Sequence, residues 1–215
     1  MMNNSRRIAE LLLQSKAIIL EPATPFTWAS GWKSPIYCDN RKTLSYPDIR
    51  TEIRDAFVEL IRQKHPGAGC IAGVATGAIA QGALVAEALN LPFVYVRSSA
   101  KKHGLENLIE GVVSEGQKAV VIEDLVSTGG SSLKAVAALR EAGFTILGMA
   151  AIFSYGFPET QTRFEEENVP LNTLSNYHAL LETALEQKQI KEKDRNILQQ
   201  WRKDPANWKG LNYEN

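Results

Sequence analysis

The sequence is poor in the features that mark several large classes of protein. Its 215 residues carry 24 Lys and Arg against 24 Asp and Glu, and this zero net charge disfavours a general nucleic-acid binder. Two cysteines, Cys38 and Cys70, are too few for a disulfide framework or a cysteine metal cluster. No apolar run approaches the length of a membrane span, and the N-terminus lacks the apolar stretch of a signal peptide. We therefore expect a cytoplasmic protein with neither a membrane nor a nucleic-acid partner.

Internal repeats and low-complexity tracts are also absent, and strand and helix patterns alternate along the chain. The predicted strands are 17–20, 36–38, 70–74, 93–96, 118–122, 146–153 and 171–174, and the predicted helices are 5–13, 45–64, 79–89, 132–142 and a tail over 176–201. This alternation predicts an α/β fold in which helices cover both faces of a mostly parallel sheet. Ligands of such sheets bind beyond the carboxyl ends of the strands.

Residues 120–132, with the sequence VVIEDLVSTGGSS, are the most informative segment. An apolar strand ends in the adjacent carboxylates of Glu123 and Asp124, and a loop of Ser, Thr and Gly then opens a helix. Such a loop offers backbone N–H groups, hydroxyls and the positive end of a helix dipole to an anion. The carboxylates suit sugar hydroxyls or a hydrated divalent cation instead. Together they predict a site for a ribose phosphate.

A simpler interpretation of this segment is that Ser131 or Ser132 only caps the helix. A Walker A loop is excluded because the Gly-Lys-Ser/Thr ending is missing, and a dinucleotide fingerprint because the G-x-G-x-x-G spacing is absent. The segment resembles the signature of type I phosphoribosyltransferases that binds phosphoribosyl diphosphate (PRPP). The resemblance implies that Glu123 and Asp124 hold the ribose 2- and 3-hydroxyls and that the loop holds the 5-phosphate. The implied PRPP contacts here are Glu123, Asp124, Leu125, Val126, Ser127, Thr128, Gly129, Gly130 and Ser131.

A second segment of small residues follows the strand at 70–74. Glycine and small side chains after a strand let the backbone approach a ligand closely, although a plain tight turn is an equally good interpretation of this segment alone. Beside the first signature it resembles the pyrophosphate-binding turn of the same family. The resemblance implies further PRPP contacts from Ala75, Thr76 and Gly77.

A basic segment, RSSAKKHGLEN, begins at Arg97. Such a charge run is usually a solvated loop. However, a reaction that expels pyrophosphate needs cations where negative charge grows, and a loop of this kind can exclude water as a lid. The segment resembles the mobile catalytic loop of orotate phosphoribosyltransferases, although some members have lysine in place of Ser98. The resemblance implies that Arg97, Lys101 and His103 contact the diphosphate and act in catalysis with Asp124. It also implies a homodimer in which the loop at 97–107 acts in the neighbouring subunit.

A third segment, FTWASGWKSPIYCD, begins at Phe26. An aromatic surface loop packed on the core would have this composition. The segment also resembles the F-T-x-x-S-G-x-K-S-P-x-Y motif of orotate phosphoribosyltransferases, which is part of a hood over the base pocket. The orotate contacts implied by the resemblance are Lys33, Tyr37, Cys38 and Ser127. The chain departs from some members at Ala29, where they have a PRPP-binding lysine, at Tyr37-Cys38, where they have a Phe pair, and at Tyr155, near which they have an arginine.

These resemblances imply one type I phosphoribosyltransferase domain over residues 1–215. It would comprise N-terminal hood elements over about 1–45, a PRPP-binding core over about 46–175 and C-terminal helices over about 176–215. The implied reaction transfers ribose 5-phosphate from PRPP to orotate, with Mg²⁺ held mainly through PRPP and water and with Asp124 as a candidate ligand. Two alternatives stay open: a phosphoribosyltransferase with a purine or another pyrimidine as acceptor, and a PRPP-sensing regulator on the same fold.

Overall fold

The computed structural model describes residues 4–28, 31–99 and 108–210. In chain order the strands are β1 (Ile18–Leu20), β2 (Phe26–Thr27), β3 (Lys33–Ser34), β4 (Ile36–Cys38), β5 (Cys70–Val74), β6 (Phe93–Val96), β7 (Ile109–Glu110), β8 (Lys118–Val126), β9 (Thr145–Ser154) and β10 (Leu171–Asn176). The helices are α1 (Asn4–Gln14), α2 (Pro47–Lys64), α3 (Ile79–Leu89), α4 (Gly130–Glu141), α5 (Pro158–Glu166), α6 (Tyr177–Glu186) and α7 (Glu192–Lys203), and a 3₁₀ helix covers Asn40–Ser45. Within the described ranges, no helix combines the length and the apolar character needed to cross a membrane.

A six-stranded sheet in the order β10-β9-β8-β5-β6-β7 forms the centre of the molecule. Neighbouring strands are parallel except for β6 and β7, which pair antiparallel. The predicted mostly parallel α/β fold is therefore confirmed.

Both faces of the sheet are buried, which explains why β5, β8 and β9 are largely apolar runs rather than alternating patterns. Along β8, Val120 and Ile122 belong to one core with residues of α1, α2, α3, α6 and α7. Ala119 and Val121 belong to the opposite core with residues of α4 and α5. Because helices cover both faces, the carboxyl edge of the sheet is where loops can meet a ligand.

The predicted bounds are confirmed for β5, β6 and α3, but β8 is longer than predicted. Its expected end was Ile122, because two carboxylates follow. In the structure β8 pairs with β9 as far as Val126, so Glu123 and Asp124 lie within the strand. Pairing with a neighbouring strand outweighs the polarity of these residues, since strand propensity depends strongly on context.

Two helical regions also differ from the prediction. Helix α5 was missed because it is mostly polar, although Pro158 at its first position and Glu159 in its first turn are start signals. The tail over 176–201 is two helices, α6 and α7, rather than one continuous stretch. Between them Lys188 has a φ of +57°, a left-handed backbone that interrupts a helix.

The N-terminal hood contains two small antiparallel sheets, β1 with β4 and β2 with β3. The indole Nε1 of Trp28 donates to Ile36 O at 3.1 Å and joins the two sheets. At the start of the 3₁₀ helix that follows, Asn40 Nδ2 donates to Asp124 O at 2.6 Å. This contact fastens the hood to the end of β8, where the sequence predicts the site.

Candidate active site

The turn after β5 and the acidic pair on β8 lie against each other. A cis peptide bond joins Ala75 to Thr76, and Gly77 follows. A Cβ atom placed on Gly77 would lie 2.2, 2.3 and 2.4 Å from the carboxyl atoms of Asp124. Because any side chain here would collide with that carboxylate, only glycine permits the approach. The structure therefore brings together two segments that were each predicted to contact PRPP.

Glu123 is the inner member of the acidic pair, with 5% of its surface exposed. Its carboxylate accepts hydrogen bonds from Ser132 Oγ at 2.9 Å and from Asp124 N at 3.0 Å. Burial, and after it the charge of Asp124, raise the pKa of Glu123 to about 8. A cation or a hydroxyl donor at the pair would offset the cost of ionising it, so the pair is suited to either ligand.

Asp124 is the outer member of the pair and is half-buried. Burial raises the pKa of its carboxyl above the ordinary value, although the side-chain hydrogen bond with Glu123, the N–H of Leu125 and the nearby charge of Arg41 act in the opposite direction. Arg41 itself pairs with Asp39 at 2.7 Å. Asp124 therefore presents an accessible carboxylate beside the turn at Gly77, while Glu123 supports it from inside.

The loop that begins at Ser127 turns from β8 into α4. Gly129 is the N-cap residue, with a φ of +80° and no side-chain capping bond. The interpretation of Ser131 or Ser132 as the cap is therefore wrong, and Ser132 Oγ instead donates to Glu123. The first N–H groups of α4 and the positive end of its dipole lie at this loop. The loop is therefore a suitable place for an anion.

Helix α5 supports this loop from behind. Thr160 Oγ1 donates to Ser127 O at 2.6 Å. A Cβ atom on Gly129 would lie 2.8 Å from Cε2 of Phe164, so the α5 side chain also packs closely on the loop backbone. Neither these supporting residues nor their helix was predicted from the sequence.

A cavity of about 280 Å³ lies between the hood and the ends of β8 and β9. It is lined by Thr27, Trp28, Tyr37, Cys38, Leu125, Ser127 and Tyr155. Three of the predicted orotate contacts, Tyr37, Cys38 and Ser127, are therefore brought together here. The fourth, Lys33, does not line the cavity but lies beside it, since its Nζ donates to Thr27 Oγ1 at 2.8 Å. We call this cavity the acceptor cavity.

The C-terminal helix α7 supports the acceptor cavity through Tyr155. The ring of Tyr155 lies 5.4 Å from that of Trp28 and 5.6 Å from that of Trp201, between centroids. Arg202 Nε donates to Tyr155 O at 2.8 Å, and the same guanidinium donates to Gly156 O. Trp201 and Arg202 were not predicted to support the site, although a tryptophan on a mostly polar helix was a signal for such a contact.

Arg97 lies at the end of β6 and forms an ion pair with Glu110 at 3.4 Å. It lines a second cavity, of about 500 Å³, together with Ala75 and Ser131. Predicted PRPP contacts from three separate segments therefore face one space. The positions of interest that lie outside the described residues are Ala29, Lys101 and His103.

Comparison with known proteins identifies the family of this chain. The family model of the phosphoribosyl transferase domain matches residues 43–188, more than half of the chain. Over 208 residues the chain is 59% identical to the orotate phosphoribosyltransferase of Bacteroides fragilis. The match covers 97% of this chain and 98% of that protein. The chain belongs to the orotate phosphoribosyltransferase family.

Solved structures of orotate phosphoribosyltransferases have the same fold. The crystal structure of orotate phosphoribosyltransferase from Aeropyrum pernix is 27% identical with a TM-score of 0.73, and the match covers 81% of this chain and 96% of that one. The structure of Leishmania donovani UMP synthase is 26% identical with a TM-score of 0.77, over 92% of this chain and 42% of that one. The type I phosphoribosyltransferase fold expected from the sequence is therefore confirmed.

In this member of the orotate phosphoribosyltransferase family, the matched domain contains only some of the residues that line the acceptor cavity. The acidic pair, the turn at Gly77 and the loop that begins at Ser127 lie inside 43–188, whereas the cavity residues contributed by the hood lie before it. Helix α7, with Trp201 and Arg202, lies after it. The two terminal parts of the chain thus meet at the acceptor cavity.

Proposed function

We propose that this protein transfers the ribose 5-phosphate group of PRPP to orotate, giving orotidine 5-phosphate and pyrophosphate for pyrimidine biosynthesis. The observation that carries the proposal is the junction at Asp124 and Leu125 on β8. Asp124 faces the turn and loop predicted for PRPP, whereas Leu125 lines the acceptor cavity. A donor and an acceptor bound on the two sides of this strand end would therefore be neighbours, as a direct transfer requires.

On the donor side, Asp124 and Glu123 would accept hydrogen bonds from the ribose 2- and 3-hydroxyls. The 5-phosphate would lie at the loop before α4, where backbone N–H groups, hydroxyls and the helix dipole converge. The pyrophosphate group would lie at the turn of Ala75, Thr76 and Gly77. Orotate N1 would attack C1 of the ribose as the bond from C1 to the pyrophosphate oxygen breaks. The pyrophosphate leaves with the bonding electrons, the proton of N1 passes to the departing pyrophosphate or to water, and no nucleophilic side chain is needed.

On the acceptor side, orotate is a planar anion, and the acceptor cavity offers aromatic rings and a lysine at its rim. Trp28, Tyr37 and Tyr155 would contact the faces and edges of the ring, and Ser127 would hydrogen-bond to it. We assign the orotate carboxylate to Lys33, whose ammonium is brought to the cavity rim by its hydrogen bond to Thr27. A cation at the rim stabilises the bound anion without burying an unpaired charge.

The residues of the site fit a requirement for Mg²⁺ held mainly by the substrate. Among the described residues no group of three or more His, Cys, Asp or Glu could hold a metal ion on its own. Mg²⁺ keeps several waters and binds through one or two carboxylates plus substrate phosphates, and Asp124 is an accessible carboxylate of that kind. When bound, the ion would offset the charge of the diphosphate. The pKa of Glu123 is raised because ionising this buried carboxyl is costly, and a nearby cation would reduce that cost.

The basic loop and the assembly complete the proposal. Arg97, Lys101 and His103 would stabilise negative charge as pyrophosphate leaves, with the loop acting in the neighbouring subunit of a homodimer. Helix α3 supports a dimer: it contains one charged residue, Glu87, and exposes alanines on its outer face at Ala80, Ala83 and Ala88. Cys38 and Cys70 are both free thiols, in keeping with a cytoplasmic enzyme.

One assay tests the proposal against its alternatives. The protein is mixed with PRPP, Mg²⁺ and a panel of bases, and the loss of orotate absorbance is followed beside the release of pyrophosphate. Pyrophosphate release with orotate alone is expected, and release only with a purine or another pyrimidine would overturn the acceptor assignment. PRPP binding without release in the presence of any base would instead favour a PRPP-sensing regulator. Asp124→Asn should bind PRPP weakly in calorimetry while keeping the circular dichroism spectrum of the wild type.

A further inference from the structure

Asn40 joins the acceptor cavity to the proposed ribose site, which is formed by Glu123 and Asp124. It is the first residue of the 3₁₀ helix after the hood strand β4, and 2% of its surface is exposed. Its Nδ2 donates to Asp124 O at 2.6 Å, across 84 positions of the chain. Its Oδ1 accepts a hydrogen bond from Cys38 Sγ at 3.4 Å. One end of a buried amide therefore contacts a residue that lines the acceptor cavity, and the other end contacts the residue that faces the donor.

The contact with Asp124 falls where the sheet no longer supports β8 on one edge. Strand β8 pairs with β9 as far as Val126 but with β5 only as far as Ile122. Asn40 Nδ2 provides the donor for the carbonyl of Asp124 beyond that point, as a buried carbonyl requires. On the edge that β5 no longer covers, the peptide between Asp124 and Leu125 is thereby fixed by a hood residue.

The chemistry of an amide suits this position. The carbonyl of Asp124 needs a donor and the thiol of Cys38 needs an acceptor, and a primary amide supplies both from one side chain. A carboxylate could accept from the thiol, but it would face the carbonyl oxygen of Asp124 without a proton to donate. Asn40 is held in turn by the hood, since Thr43 Oγ1 donates to its carbonyl oxygen at 2.6 Å.

We propose that Asn40 is a positioning residue that sets the acceptor cavity in register with the ribose site. The inference rests on the proposed transfer from PRPP to orotate. The two reacting atoms, orotate N1 and ribose C1, would be held by opposite sides of the strand end that Asn40 fixes. A small misplacement between two such sites lowers the rate of the chemical step far more than it weakens the binding of either substrate. Asn40 therefore acts on kcat through its neighbours without touching the reacting atoms.

Two variants separate the two ends of the amide. Asn40→Leu keeps approximately the size of the side chain and removes both hydrogen bonds, whereas Asn40→Asp keeps an acceptor for Cys38 and removes the donor to Asp124. We expect both to lower kcat roughly 10- to 100-fold, which is the effect of a displacement of about 1 Å. The Kd of PRPP measured in the absence of orotate should stay within about threefold of the wild-type value, because the hydroxyl-binding carboxylates are retained.

A matched control distinguishes positioning from plain stability. Ser175 is fully buried and donates a hydrogen bond of 2.8 Å to Ser5 O, away from both cavities. Ser175→Ala should lower Tm as the Asn40 variants do but leave kcat unchanged. Steady-state kinetics and PRPP calorimetry are carried out on folded wild type and all three variants. If both Asn40 variants keep the wild-type kcat, or lose activity only in proportion to PRPP affinity, the inference is overturned. Absence of orotate turnover in the wild type would overturn the proposed function instead.

Discussion

Substituting Gly77 with alanine tests whether the turn and the acidic pair form one donor site. The added Cβ would lie 2.2–2.4 Å from the carboxyl atoms of Asp124. Carbon and oxygen atoms that are not bonded lie about 3.5 Å apart at best contact, so the carboxylate must move by about 1 Å or more. Because the side chain of Asp124 is short, this shift falls on the carboxylate itself.

The size of the effect follows from hydrogen-bond geometry. A hydroxyl donates to a carboxylate at about 2.5–3.0 Å, so a displacement of 1 Å removes the bond. A hydrogen bond to a charged group contributes about 1.5–3 kcal/mol. Losing one or two such bonds to the ribose hydroxyls should cost about 3 kcal/mol in PRPP binding, which is on the order of a 100-fold increase in Kd.

Isothermal titration calorimetry of PRPP with excess Mg²⁺ measures this change directly. Gly67→Ala is the matched control, because a Cβ atom there meets nothing within 4 Å and the residue lies in the turn after α2, outside the site. The control should bind PRPP like the wild type, and both variants should keep the wild-type circular dichroism spectrum. A folded Gly77→Ala protein that binds PRPP within threefold of the wild type would refute the contact between the turn and Asp124.

Three further predictions concern the residues around the two cavities. Because the pKa of Glu123 is raised to about 8 from an ordinary value of 4.5, the unliganded protein should lose stability as pH rises through that window. Glu123→Gln cannot ionise, so its Tm should exceed that of the wild type at pH 8 by a margin that shrinks towards pH 5; a margin independent of pH would contradict this. Arg202→Ala should lose about 2 kcal/mol of stability and raise the KM for orotate without changing the KM for PRPP, because it removes the bonds that hold the end of β9. Arg195→Ala, which loses ion pairs on the same helix, should leave both KM values unchanged. Lys33→Met should raise the KM for orotate about tenfold or more while PRPP calorimetry is unchanged, and an unaltered KM would remove Lys33 from the site.

The proposed donor side of the site could be predicted from the sequence because its main residues are neighbours in the chain. The acidic pair and the loop that follows it are contiguous, and their order along the chain already places carboxylates and amides at one strand end. What the sequence could not indicate is that Glu123 and Asp124 have different surroundings. Glu123 is enclosed by the hydrogen bond from Ser132, whereas Asp124 is approached by Gly77. That difference arises from packing between segments that are distant in the chain.

The acceptor side could be predicted only in part, because its residues come from three regions. The hood motif indicated Tyr37 and Cys38, and both line the acceptor cavity, but the contribution of Tyr155 depends on where β9 ends. Its support by Trp201 depends on how α7 folds back across the molecule. The supporting role of helix α5 also could not be predicted, since it is visible only in the contact of Thr160 with the loop that begins at Ser127. Periodicity predicts that a helix forms, but it does not show which loop the helix supports.

In the proposed reaction, Asp124 is held from two directions by groups of different substrate sites. Gly77, from the turn proposed for pyrophosphate, limits the space of its carboxylate, and Asn40, from the hood, fixes its carbonyl. The carboxylate would contact PRPP and the carbonyl would set the position of the acceptor cavity, so both halves of the reaction would depend on this one residue. If this arrangement aligns the two substrates, the two substitutions should change different measured quantities. Gly77→Ala should mainly weaken PRPP binding, and Asn40→Leu should mainly lower kcat. Because both substitutions act on the same residue, their effects on the transition state should not be additive in the double variant.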